Sequence, residues 1–324
     1  MPAVDTSLPW IQITNPLAQP PGTLLLELSV ALCWILTLVH VAKAYARGES
    51  RPLFAWISIL VYGVILEIIT YHYLDNFTHE HFTVMLYHHR LPLYICMVYQ
   101  VVIYVCQQAA ERLRVSPVIE ATAAGFLVMI MYTSYDVLGP VMPWWRWNPH
   151  FVTEARWLGV PYTSTLWVFL YHAALVYLVR RMDPVRLRWL DGTAVGAGWW
   201  GRVIGAATVV GVGTLFLGFL VFLPYHVLRL VGLPDAWILL LFGGIGAVTV
   251  LRAIGGVVPR TDPSLVAIGV IWHGFFLVSA LSWSGEGTTD PVGMIRGIAI
   301  GLALASGGLQ LWIQRGPCRR VSAP

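Results

Sequence analysis

The chain has 324 residues, of which 57% are hydrophobic and only 11% charged, with a net charge of +4 and a mean hydropathy of +0.70. A soluble globule of this length has no way to hide so much apolar surface, so a water-soluble enzyme is excluded. The small positive charge is carried by loop arginines at helix ends, which argues for membrane topology and against a nucleic-acid partner.

The fold class that remains is all-α: a polytopic integral membrane helical bundle. A bilayer core takes roughly 20 apolar residues per spanning helix. Nine such runs occur, at 22–45, 53–75, 91–109, 117–138, 161–181, 203–224, 234–252, 264–284 and 292–313, and ambiguous breaks widen the count to eight to ten. The polar, proline-containing leader has no basic residue and no small-residue cleavage site, so no signal processing is expected. Fifteen of the twenty basic residues, Lys43, Arg47 and Arg51 among them, fall on one side of this arrangement. Only Arg90, Arg146, Arg156, Arg229 and Arg296 fall on the other. Lysine and arginine are retained in the cytoplasm, which places the N-terminus outside and the C-terminus inside. Nineteen of the twenty are arginine, a bias that suits a bacterial plasma membrane.

The division expected is an extracytoplasmic leader (1–21), an N-terminal five-helix bundle (22–181), a basic cytoplasmic loop (182–202), a glycine-rich four-helix bundle (203–313) and a cytoplasmic tail (314–324). The first helix carries Glu27 and, near its inner end, His40, a position where histidine more often snorkels or caps than reacts. The second carries Glu67 about two-thirds of the way across. A carboxyl there costs a few kcal/mol unless it is paired, protonated or facing a polar cavity. Tyr71 follows four residues later on the same face, then His72 at the outer boundary.

Five of the ten histidines, His72, His79, His81, His88 and His89, fall within eighteen residues, in an outer loop ending at Arg90 whose apolar members suggest an amphipathic lid. Asn76-Phe77-Thr78 is a formal glycosylation sequon in that loop. The Tyr94, Tyr99, Gln100 and Tyr104 stripe of the third helix reads as packing. The fourth helix ends in Asp136 before Gly139-Pro140, and the next loop holds Trp144, Trp145 and Trp147, either an interfacial belt or a pocket wall. The fifth contains His172, which needs a hydrogen-bond partner. The arginines and tryptophans of 180–202 suit anionic lipids of the inner leaflet, and the glycines of the last four helices suit close packing in lipid.

Three stretches together carry a resemblance: Gly63 to Glu67, ATAAGFLVMIMYTSYDVLGPVMPWWRW from Ala121 to Trp147, and Gly159-Val160-Pro161 followed by Trp167. This pattern resembles the membrane carotenoid-biosynthesis family that includes the hydratases of acyclic carotenoid end groups, over roughly residues 55–180. The chain departs from that pattern in its histidine-rich loop and in having Tyr162-Thr163-Ser164 where the family has an asparagine. The resemblance implies Glu67 and Asp136 as an acidic pair and Trp144, Trp145 and Trp147 as a wall.

Three functions follow as expectations. The first is an enzyme acting on an isoprenoid or carotenoid-like lipid by carbocation chemistry, hydration or cyclisation, without a cofactor. Such a reaction starts from a carboxylic acid that stays protonated near pH 7, a state favoured by apolar burial. Its catalytic candidates are Glu67, Asp136, His72 and Tyr71, and its substrate-binding candidates Trp144, Trp145, Trp147, Tyr162, His88, His89 and Arg90. The second is a metal-dependent oxidoreductase holding iron, copper or zinc on His72, His88, His89, Glu67 and Asp136. The third is a non-enzymatic lipid- or pigment-binding subunit of a membrane assembly with partner subunits.

Overall fold

In a computed structural model, residues 7–182, 197–256, 262–284 and 292–315 are described. Arg186, Arg188, Trp189, Arg260, Cys318, Arg319 and Arg320 lie outside them, as do most of the expected basic loop and tail. Among the described residues nine helices are long and apolar enough to cross a membrane. They are α1 (Pro21–Ala46), α2 (Arg51–Ile69), α3 (Leu93–Glu111), α4 (Pro117–Leu138), α5 (Tyr162–Arg181), α6 (Ala197–Leu230), α7 (Asp235–Ala253), α8 (Pro263–Ser282) and α9 (Val292–Arg315).

Proline sets most of the starts. It occupies one of the first two positions of α1, α2, α4 and α8, where its missing N–H would be unpaired anyway, and it directly precedes α3, α5 and α7. One proline behaves otherwise. The sixth apolar run stops at 224 by hydropathy, yet α6 begins at Ala197, within the expected basic loop, and continues through Pro224 to Leu230. An internal proline removes one backbone bond and bends a helix, and the apolar residues on both sides of it keep this one going.

α3 is buried on nearly every face, against α1, α2 and α4, and α4 contacts α5, α7, α8 and α9 in turn. α6 packs on α2 and α5, α8 on α1 and α9 on α4, so helices from both expected bundles share one core. At one end of the bundle Arg51 bridges Glu111 and Glu120, each at 3.1 Å, and Arg180 approaches Glu120 at 3.5 Å. His40 lies at this end too, between the Tyr104 hydroxyl at 2.6 Å and Asp262 at 3.6 Å.

The opposite end is closed by a cap of short strands: β1 (Ile11–Ile13), β2 (Phe77–His79), β3 (Val84–Leu86), β4 (Leu91–Pro92), β5 (Trp145–Trp147), β6 (Arg156–Trp157) and β7 (Val160–Pro161). They pair antiparallel as β1-β3-β4, β2-β5 and β6-β7. The outer loop read as an amphipathic lid is built from strands, and its Phe82 and Met85 are buried. α1 holds it down: Glu27 accepts from Thr83 N at 2.9 Å and from the Thr83 hydroxyl at 2.5 Å.

Candidate functional site

Beneath the cap, α2 to α6 enclose a cavity of about 180 Å³. Glu67 enters it from α2 and Asp136 from the last turn of α4. The Tyr99 hydroxyl on α3 donates to Glu67 Oε1 at 2.8 Å. That contact depends on Gly63, one turn before Glu67: a Cβ there would stand 2.9 Å from Tyr99 Cγ, so only glycine lets the ring lie against α2. The Tyr71 hydroxyl also lies close to the Glu67 carboxyl, whose Oε2 makes no other hydrogen bond among the described residues. Asp136 Oδ2 accepts from Ser164 of α5 at 3.3 Å. Tyr132 lies within the electrostatic reach of both carboxyls.

Aromatic rings make most of the wall. Tyr62, Tyr99 and His172 meet edge to face, with centroids 5.8 to 6.2 Å apart. On the cap side Trp145 lies over Tyr135 at 4.3 Å and beside His79 at 6.2 Å. The Trp145 ring occupies the space of a Gly139 side chain, since a Cβ there would come within 1.8 Å of the indole. The ribbon of β2 and β5 is fastened by Asn148, whose amide donates to Asp75 O and Thr78 Oγ1, both at 2.9 Å.

The polar atoms of this wall are under-used. Tyr62 Oη, Glu67 Oε2, Asn76 Oδ1, both ring nitrogens of His79, Trp147 Nε1 and His172 Nε2 are buried without a hydrogen-bond partner among the described residues. Buried polar groups are nearly always paired, so several orphans on the residues that line one cavity make this wall unusually polar for an apolar bundle. Burial, with Arg90 nearby, pushes His79 down to about 3, so its imidazole is neutral. Among the described residues, the cavity lining contains no lysine or arginine.

The sequence-derived candidates separate cleanly. Glu67, Asp136, Trp145 and Trp147 line the cavity. Tyr71 faces Glu67 from just outside it, and Trp144 stacks on Phe275 at 5.8 Å. Tyr162 starts α5 beside the lining residues Pro161 and Thr163 without joining them. The remaining candidates are spent on the cap. His72 bonds the Tyr87 hydroxyl at the surface, His88 bonds Leu8 O at 2.6 Å and lies against Trp10, and Arg90 pairs with Asp75. His89 lies 5.8 Å from the His81 ring. The expected histidine cluster is thus drawn apart, because Tyr87, His88 and His89 take a left-handed turn with φ of 51°, 53° and 61° that sends successive rings in different directions. No group of three His, Cys, Asp or Glu that could hold a metal occurs among the described residues. The sequon asparagine, Asn76, is buried in the cavity wall.

Tyr99, Tyr62, Tyr132, Tyr135, His79 and His172 join the site without being legible as site residues in the sequence. The signal available for Tyr99 is Gly63, spaced four residues from Glu67 on the same helical face, a gap that a ring on a neighbouring helix must fill. His172, a lining residue, finds a partner in backbone, through Nδ1 to Val168 O at 2.5 Å, while its other nitrogen is buried without a partner among the described residues.

The model of a domain of unknown function, DUF7802, matches residues 10–228, and the chain belongs to that family. Every cavity-lining residue, from Tyr62 to His226, falls inside the match, whereas α7 to α9 lie beyond it. No curated protein and no solved structure matches the chain.

Proposed function

We propose that this protein is an integral membrane enzyme that adds water to, or cyclises, an isoprenoid or carotenoid-like lipid by acid–base chemistry in the capped cavity. The observation that carries the reading is one cavity holding two carboxyls from different helices, Glu67 and Asp136, inside an aromatic wall whose described lining has no lysine or arginine. The nine long apolar helices support membrane insertion, and the surplus of arginine at the uncapped end supports a cytoplasmic C-terminus with the cap outside. Of the two other functions considered, neither metal oxidation nor passive lipid binding has an observation of comparable weight.

The roles follow from the surroundings. Glu67, held by Tyr99, is the acid. Its proton adds to one carbon of an isolated double bond and leaves a tertiary carbocation on the other. The faces of Tyr132, Tyr135 and Trp145 stabilise that cation without trapping it, as a nucleophile would. A water then bonds to the cation while Asp136 takes one of its protons, which completes net addition of water. The proton returns from Asp136 to Glu67 to restore the acid. In the cyclising variant a second double bond of the same chain attacks instead, and Asp136 removes a proton from the ring.

The test is incubation of the purified full chain in nanodiscs with an acyclic polyene in heavy-oxygen water, followed by mass spectrometry. Label in a tertiary alcohol, or an isomer of unchanged mass and altered retention, is the expected product. Glu67→Gln should lower its formation by at least about a hundredfold, the usual worth of a general acid. Product formation at the wild-type rate by both Glu67→Gln and Asp136→Asn overturns the assignment.

A further inference from the structure

The cavity does not end inside the bundle. Its lining runs outward from Glu67 to Trp167 on α5 and to Phe219, Phe222 and His226 on α6. Phe219 is 55% exposed and His226 is exposed as well, so the cavity has a mouth on the flank of the bundle, between α5 and α6. The α6 surface around that mouth is apolar, with Phe216, Leu220, Leu223 and Val227 all exposed.

The two ways in differ in what closes them. Toward the cap stand the paired strands β2 and β5, the Asn148 bonds and the Trp145 ring seated on Gly139. On the flank there are only side-chain rings. Pro224, between Phe222 and His226, also removes one backbone bond of α6, which makes this the place where that helix bends most easily.

Size and charge restrict the occupant. About 180 Å³ is little more than the roughly 150 Å³ that holds one benzene ring. A head group and a few carbons fit, and the rest of a long chain must lie in the mouth and beyond it. An anionic head would meet two carboxyls and no lysine or arginine among the described lining residues, and burying an unpaired charge costs several kcal/mol. The unpartnered atoms of Tyr62 and His172 instead suit an uncharged hydroxyl or amide, which leaves Glu67 to the double bond.

Resting on the function proposed above, we propose that the substrate enters sideways from the membrane, through the mouth between α5 and α6, and is a single-chain lipid whose polar end carries no phosphate or other anionic group.

The test uses the full chain in nanodiscs and two probes of equal chain length, dibrominated octadecanol and its phosphate monoester. Bromine quenches nearby indoles, and the quenching absent from Trp167→Phe reports the mouth. The alcohol should quench saturably and be displaced by unbrominated octadecanol, with the phosphate at least about tenfold weaker. Phe219→Ala and Phe222→Ala should speed association of the alcohol, while Thr78→Ala, which loosens the cap ribbon, should leave it unchanged. Equal or tighter binding of the phosphate, no saturable quenching by either probe, or a rate that follows Thr78→Ala instead of the phenylalanines each overturns the inference. Saturable alcohol binding alongside unaltered turnover in Glu67→Gln removes the proposed chemistry and leaves this route standing.

Discussion

Replacing Gly63 by alanine adds a single methyl group, and its cost can be worked from the contacts. The new Cβ would stand 2.9, 3.0 and 3.2 Å from Cγ, Cδ2 and Cβ of Tyr99. These atoms are the root of the side chain, tied to an α3 that is buried nearly all round, so they cannot swing aside as a flexible tip would. Overpacking of this kind costs about 1–3 kcal/mol. A ring displaced by a few tenths of an ångström also strains the 2.8 Å bond to Glu67, worth about 0.5–1.5 kcal/mol. Alanine returns up to about 1 kcal/mol of helix propensity. The net loss is about 1–3 kcal/mol, a fall in melting temperature of several degrees in detergent. Gly243→Ala in α7, where nothing lies within 4 Å, receives the propensity without the clash and should melt at or above wild type. Tyr99→Phe deletes the hydroxyl and leaves Glu67 unbonded. Introducing Gly63→Ala into that background should cost less than it does alone, because the two residues touch and their effects are not additive. A Gly63→Ala protein as stable as Gly243→Ala refutes the claim that the glycine exists to seat this ring, and strictly additive costs with Tyr99→Phe refute the strain on the bond to Glu67.

His79 gives stability a pH dependence. Its folded value of about 3 lies below the usual 6.5, so the unfolded chain takes up the proton first. The stabilisation is complete above about pH 6.5 and is lost as pH falls toward 3, at about 1.4 kcal/mol per unit. Unfolding measured between pH 7 and 5 should flatten in His79→Phe, and identical slopes for the two proteins would count against the burial argument. At the uncapped end, Arg51→Ala takes the cation that Glu111 shares with Glu120, leaving Glu120 to Arg180, and should cost about 1–3 kcal/mol, with Glu111→Gln recovering part of it in the double variant. In the left-handed turn, His89→Gly relieves a positive φ of 61° and should be neutral or stabilising by up to about 1 kcal/mol. His88→Gly loses the Leu8 bond and the Trp10 contact and should destabilise; equal losses from both would mean the turn carries no strain.

The helices are legible in the sequence because each is long, apolar and in most cases started by proline, and these signals are local. Their spans agree with the sequence reading to within a few residues, the second once the turn that carries α2 on to Leu74 is counted, except at α6, where a proline that usually ends a helix sits inside one. The acidic residues are legible for a related reason: a lone carboxyl in an apolar run has no bland explanation, and Glu67 and Asp136 do line one cavity. The histidines are dense along the chain but not in space. Three consecutive left-handed residues splay them, and a sequence without glycine gives no warning of that conformation. His172 and the tyrosines are hard to pick out because an amphipathic stripe looks the same whether it packs against a neighbour or against a void.

The void itself needs a cause, since a bundle of flexible apolar side chains closes its gaps to near-crystalline density. Three lining rings supply one. Tyr99 is seated on Gly63, Trp145 on Gly139 and Tyr171 on Gly218, each with ring atoms closer than 3.0 Å to where a Cβ would stand. A flat ring sunk against a glycine of a neighbouring element is held back from the cavity centre, and having few rotatable bonds it cannot fold in to fill the space. The glycines therefore encode the size of the cavity from its outside. A methyl group at any of the three seats would push a ring inward and take volume from a site holding only about 180 Å³, without altering any residue that reaches the occupant's polar end.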